Sequence, residues 1–138
     1  MANTDFISHA AADNFRLARS KTLYELADGT YNLIHIPKFA FVFNVWFYVT
    51  TAYAGGANGA VTIGFLGNGE SADPDGFMDS AWAAGRVAGV KEMHGDTQPG
   101  SKGKWFMDAS GFLTITLSKG TDSTLLQGFV FMHYAVLH

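Results

Sequence analysis

Cysteine is absent from all 138 residues, which excludes a disulfide framework and thiolate chemistry and fits synthesis in a reducing cytoplasm. Charge is also scarce. Asp, Glu, Lys and Arg make up 15% of the chain, the formal net charge is −3, and the nine Lys plus Arg are scattered. A phosphate backbone needs a basic stripe, so a nucleic-acid partner is not expected. No apolar run reaches the roughly 20 residues of a membrane helix, and the opening "MANTDFISHAAADNFRLARS" lacks the basic start and apolar stretch of a secretory signal. A membrane partner is therefore not expected.

What the chain has instead is aromatic residues, at 14%, and 16 glycines, a profile of strands and turns. One domain of this length buries roughly two-thirds of the surface exposed by its unfolded form, so no metal or disulfide staple is required. Residues 1–29 hold no sustained helical period and read as an extended N-terminal arm, with the β-sandwich domain spanning 30–138. "ADGT", Ala27–Thr30, signals a turn ahead of a short strand that stops at Pro37.

"FAFVFNVWFYV", Phe39–Val49, is apolar except for Asn44. A strand period puts Phe41, Phe43, Val45, Phe47 and Val49 on a core face and Val42, Asn44, Trp46, Tyr48 and Thr50 on the other. That second face is too apolar for water. The Gly-rich "YAGGANGA" then leads to "VTIGFL", with Val61, Ile63 and Phe65 inward, and the two strands are expected to form a hairpin. Residues 67–105 read as a long loop with one or two short strands or turns.

Near the C-terminus, Leu113, Ile115 and Leu117 alternate with Thr114, Thr116 and Ser118. "GFVFMHYAVL" is apolar on both faces, as in a strand central to its sheet. The pattern predicts an all-β antiparallel sandwich, jelly-roll-like, with an extended N-terminal arm. Its two-sided apolar strands need more layers than one chain supplies, which predicts a partner subunit, with Trp46, Tyr48 and His133 on the interface.

Motifs for chemistry are weak. "GNGESA", Gly67–Ala72, has the G-x-G-x-x-A spacing of a dinucleotide site, but "DPDG" follows where the phosphate-binding helix should start. Asp73, Asp75 and Asp79, with Asn68 and Glu70, could offer oxygen ligands to Ca²⁺, yet Ala84 stands where an EF-hand needs its bidentate Glu. His9, His35, His94, His133 and His138 show no zinc spacing, and no G-x-S-x-G elbow occurs. The expectation is no cofactor, no metal and no enzymatic activity. Trp46, Trp82 and Trp105 fit subunit contacts, or alternatively a sugar-stacking platform.

"IHIPKFAFVFNVWFYVTTAYAGG", "VTIGFLGNGESADPDGFMD" and the closing "GFVFMHYAVL" together resemble the small β-sandwich decoration, or cement, proteins of tailed bacteriophage capsids. The likeness runs from about Ile36 to Val136. Phe39 departs from it, standing where the pattern favours Gly, and Gly67–Gly69 lengthens the acidic turn. The resemblance implies a non-enzymatic protein made in the host cytoplasm and placed on the capsid exterior, bound to the major capsid protein and to itself as a trimer. An arm carrying Phe6, Ile7, Phe15 and Leu17 would touch the coat or a neighbouring subunit. The alternative is a fibre or tail-tip module that binds host carbohydrate.

Overall fold

The computed structural model of the protein describes residues 15–67, 70–106 and 109–136. Phe6, Ile7, His9 and His138 lie outside them. Two antiparallel sheets enclose one core. The strands are β1 (Phe15–Arg19), β2 (Leu23–Tyr24), β3 (Gly29–Ile36), β4 (Ala40–Thr51), β5 (Ala60–Gly67), β6 (Glu70–Met78), β7 (Gly89–Glu92), β8 (Lys104–Phe106), β9 (Gly111–Ser118) and β10 (Gln127–Val136). Among the described residues a short helix, α1 (Ser80–Ala83), and a 3-10 turn at Met93–Gly95 interrupt them.

The first sheet runs β1-β10-β4-β7, with β2 also on β10 and β8 also on β4; the second runs β3-β9-β5-β6. Counting β1 with β2, and β7 with β8, as interrupted strands leaves eight, ordered 1-8-3-6 and 2-7-4-5. The sandwich is therefore jelly-roll-like. β10 lies between β1 and β4, as its two apolar faces require.

The core is built by period-2 alternation from both sheets. Val61, Ile63 and Phe65 of β5 and Leu113, Ile115 and Leu117 of β9 are buried as expected, facing Val45, Phe47, Val49, Val130 and Met132 of the first sheet. Phe47 and Ile63 are wholly inaccessible to water. The protein keeps its hydrophobic face where the pattern placed it.

Four expectations meet a different outcome. β4 and β5 are not a hairpin: β4 pairs with β10, β7 and β8, while β5 pairs with β9 and β6 in the other sheet. The Gly-rich link crosses the end of the sandwich because Asp122 ties it there, accepting from the amides of Gly56 at 3.0 Å and Gly59 at 2.9 Å. Phe41 and Phe43 are not core. The register between β4 and β10 jumps from Asn44↔His133 to Val42↔Tyr134, a β-bulge at Phe43 that turns Ala40 and Val42 inward instead.

The stretch 67–105 is mostly ordered structure, opening with the nine-residue β6. Pro74 is tolerated there because β6 is an edge strand whose register against β5 is irregular. Residues 15–29, read from sequence as arm, carry β1 and β2, both paired to β10.

Candidate functional site

In an antiparallel pair, residues directly opposite each other point to the same face. Val130↔Phe47 and Met132↔Val45 point into the core, so Phe129↔Tyr48, Phe131↔Trp46 and His133↔Asn44 point outward. β1 adds Phe15, Leu17 and Arg19 opposite Ala135, His133 and Phe131. β8 adds Trp105 opposite Phe41, and β7 adds Val90 and Glu92 opposite Tyr48 and Trp46. The outer surface of this sheet is predominantly apolar and aromatic, with Arg19, Asn44, His133 and Glu92 set among the rings.

Its rings are packed on one another. Trp105 lies 4.5 Å from Phe41, which meets Phe43 edge-on at 5.0 Å. Phe43 stacks on Phe15 at 5.4 Å and tilts against His133 at 5.3 Å, and His133 is 6.4 Å from the Trp46 ring. A second group joins Tyr48, Phe129 and Phe131, with Tyr48 stacked on Phe129 at 4.9 Å. The Arg19 guanidinium sits 4.2 Å over Phe129 at the margin, a cation–π contact. Ala135, fully buried beneath Phe15 and Phe41, shows how tightly this layer covers the sheet.

The bulge at Phe43 builds this surface. It moves two phenylalanines from the core to the outside, and its backbone is held by polar partners. Asn44 Oδ1 accepts from the Val45 amide at 2.9 Å, the His94 ring bonds the Phe43 carbonyl, and Lys102 donates to the His94 carbonyl. Trp46, Tyr48 and His133 are thus brought to one face, as the strand period implied. Phe15 and Leu17 share it, at 45% and 65% exposure. Phe41, Phe43, Phe129 and Phe131 are the residues that sequence reasoning missed as part of one site. Asn44, a lone polar residue in an apolar run, was the available sign of an irregular strand.

The opposite sheet is different outside. Thr30 and Thr116 are hydroxyl-bonded at 2.9 Å, and Thr62 and Thr114 lie in the same field, with Phe112 and Leu66 at one end only. One outer face is therefore apolar and aromatic, the other mostly polar.

The acidic residues serve local structure. Asp79 caps α1 through the Trp82 amide at 2.8 Å and accepts from Gln98. Buried Asp96 accepts from the Asp79 amide at 2.8 Å. Burial, and then the hydrogen-bonded carboxyl of Asp75, push the Asp73 pKa above the ordinary range. Asp122 is held below it by bidentate Arg86, at 3.0 and 3.1 Å, against the effect of burial. Among the described residues no three His, Asp or Glu side chains converge on a metal position. After Gly67 the chain enters β6 rather than a helix, so a dinucleotide pyrophosphate has no helix N-terminus there.

No protein-family model matches the sequence, and no curated protein does either. Solved structures do resemble the fold. A chain in the capsid of Ralstonia phage GP4 superposes with a TM-score of 0.68 at 11% identity, covering 100% of this chain and 92% of that one. A chain of the cyanophage Pam1 capsid asymmetric unit gives 0.66 at 10% identity, over 90% and 86%. One in the acidic stable capsid structure of Helicobacter pylori bacteriophage KHP30 gives 0.63 at 17% identity, over 88% and 86%. At these identities the likeness establishes a shared fold.

Proposed function

We propose that the protein is a non-enzymatic virion structural protein, a decoration or cement protein that binds the outer surface of a phage capsid lattice and stabilises it as a homotrimer. The observation that carries this reading is the fold shared, over nearly the full length of both partners, with chains of three phage capsids. The aromatic outer face supports it on physical grounds. Monomeric soluble proteins rarely leave so continuous an apolar surface in water, and a second copy of the chain is the economical cover.

In this reading Trp46, Tyr48 and His133 lie in the subunit interface, and Phe6, Ile7, Phe15 and Leu17 serve contact with the coat or a neighbour. The partners are the major capsid protein and the chain itself, with no nucleic acid, membrane, cofactor or metal. It is made in the host cytoplasm and ends on the capsid exterior. Quantitative mass spectrometry of purified particles tests the reading. Copies in a simple ratio to the major coat protein are expected, whereas a few per particle would overturn it.

A second reading, a fibre or tail-tip module that binds carbohydrate, is favoured by two exposed indoles, Trp105 at 48% and Trp82 at 38%. Sugar rings stack on such surfaces. A glycan-array signal lost in both Trp82→Ala and Trp105→Ala would establish it.

A further inference from the structure

On one side of the sandwich the edge formed by β1 and β2 lies across from β3, the edge of the other sheet; residues 25–28 link the two, and among the described residues no strand pairing joins them. Among the described strands β3 is paired only with β9. Between the edges opens a groove of about 380 Å³, walled by Lys21, Leu23 and Leu26 on one side and Tyr31 and Leu33 on the other. Leu33 is the extra residue of a bulge, since Asn32 pairs with Thr114 and Ile34 with Leu113. Leu26 and Leu33 are half-buried against the core, so the groove has an apolar floor open to solvent. Lys21 at its lip has no ion-pair partner among the described residues.

The fourteen residues ahead of β1 carry an apolar pair, Phe6 and Ile7, directly after Asp5, and contain neither Gly nor Pro. Phe15 pairs with Ala135 at the far end of β1, whereas the groove wall begins at Lys21, beyond the other end. Residue 14 therefore precedes the end of β1 remote from the chain's own groove, and filling that groove from within the same chain would require the segment to double back along the whole of β1. Fully extended, fourteen residues reach roughly 45 Å, far enough to leave the chain's own sandwich for a neighbouring copy.

Resting on the multi-copy reading above, we infer that the groove of one copy seats Phe6 and Ile7 of a second copy, with Asp5 against Lys21. A segment laid beside β3 also gains main-chain hydrogen bonds along the open strand edge, while the groove selects its side chains. The contact is directional and chain-specific, unlike adhesion through the aromatic face.

The cysteine-free chain makes the test clean. Full-length Ile7→Cys protein is mixed with size-tagged Leu33→Cys protein, oxidised mildly and run without reductant. A mixed disulfide between the two is expected, abolished by reductant and weakened when Lys21→Glu is added to the second chain. Separately, Phe6→Ser with Ile7→Ser, which alters no described contact of the sandwich, should weaken self-association at least about tenfold. An intrachain disulfide alone in an Ile7→Cys, Leu33→Cys double variant, or no disulfide between chains of unchanged circular dichroism, overturns the inference. Particle binding retained in that case leaves the decoration reading standing; a cross-link formed by a chain that binds no particle supports the groove contact and sinks the decoration role.

Discussion

Tyr53 illustrates how a single residue is fixed by its surroundings rather than its type. Its ring is buried at the end of the sandwich, its hydroxyl has no hydrogen-bond partner, and burial, followed by Asp28 and Asp122, pushes its pKa up to about 12. The hydroxyl is a desolvation cost without return. Tyr53→Phe should leave stability unchanged or raise it by up to about 1 kcal/mol, read from urea unfolding. Asp122 is the opposite case. Its pKa is lowered on folding by Arg86 and two glycine amides, so the stability it adds is complete above the unfolded carboxylate value, about 3.9, and is lost as pH falls below it. Asp122→Asn should lower the melting temperature at pH 7 and flatten its fall between pH 4 and 2; an unchanged acid slope would remove Asp122 from that role. Phe39 adopts φ of 67°, the left-handed region where an L side chain is disfavoured by about 1–2 kcal/mol. This is the position where the sequence pattern of the decoration proteins that the chain resembles would have Gly, so the departure from that resemblance is a departure from backbone ease. The turn holds through the Phe39 amide on the Phe106 carbonyl at 2.6 Å and Lys38 over the Phe39 ring.

At the scale of elements, the β4–β10 pair sets the character of the molecule, because it carries both the core and the aromatic face. Gly128 packs directly against the β4 backbone: a Cβ there would fall 2.1 Å from the Tyr48 carbonyl oxygen. That neighbour is backbone and cannot rotate away. Gly128→Ala should cost about 1–3 kcal/mol, and amide exchange should show the loss concentrated in β4 and β10. Alternation in β5, β9 and the middle of β4 was legible in the sequence because one buried face imposes a period of two. The inward turn of Ala40 and Val42 was not. A bulge costs one residue of register, and no side chain in "FVFN" reports it, apart from Asn44, whose carboxamide serves the backbone locally. The link from β4 to β5 was misread for a related reason. Glycines permit either a hairpin or a crossing between sheets, and the choice is made by Asp122, distant in the chain.

For the whole molecule, the contrast between an aromatic outer face and a threonine-rich one predicts how it meets its surroundings. Trp46→Lys puts a charge among packed rings without touching the core. Sedimentation should then find monomers or aggregates in place of the proposed oligomer, and an unchanged oligomer would refute the assignment of that face. Because β1 is paired to β10 from Phe15 onward, a truncation that removes the arm and spares the sheet must end at residue 14. Deleting residues 2–14 should abolish capsid binding while circular dichroism stays that of the sandwich; retained binding would show that those residues make no essential contact.

Composition and alternation by themselves determined the class of this protein: an all-β sandwich whose strand at 127–136 is central and apolar on both faces. They did so because burial of one face is encoded locally, residue by residue, as a period of two. Only the tertiary structure decided which strands pair, where β4 bulges, and that Phe15, Phe43, Trp46 and His133 form one surface. Those outcomes depend on hydrogen bonds and ring contacts between residues up to some hundred positions apart, and a local pattern holds no record of such distances.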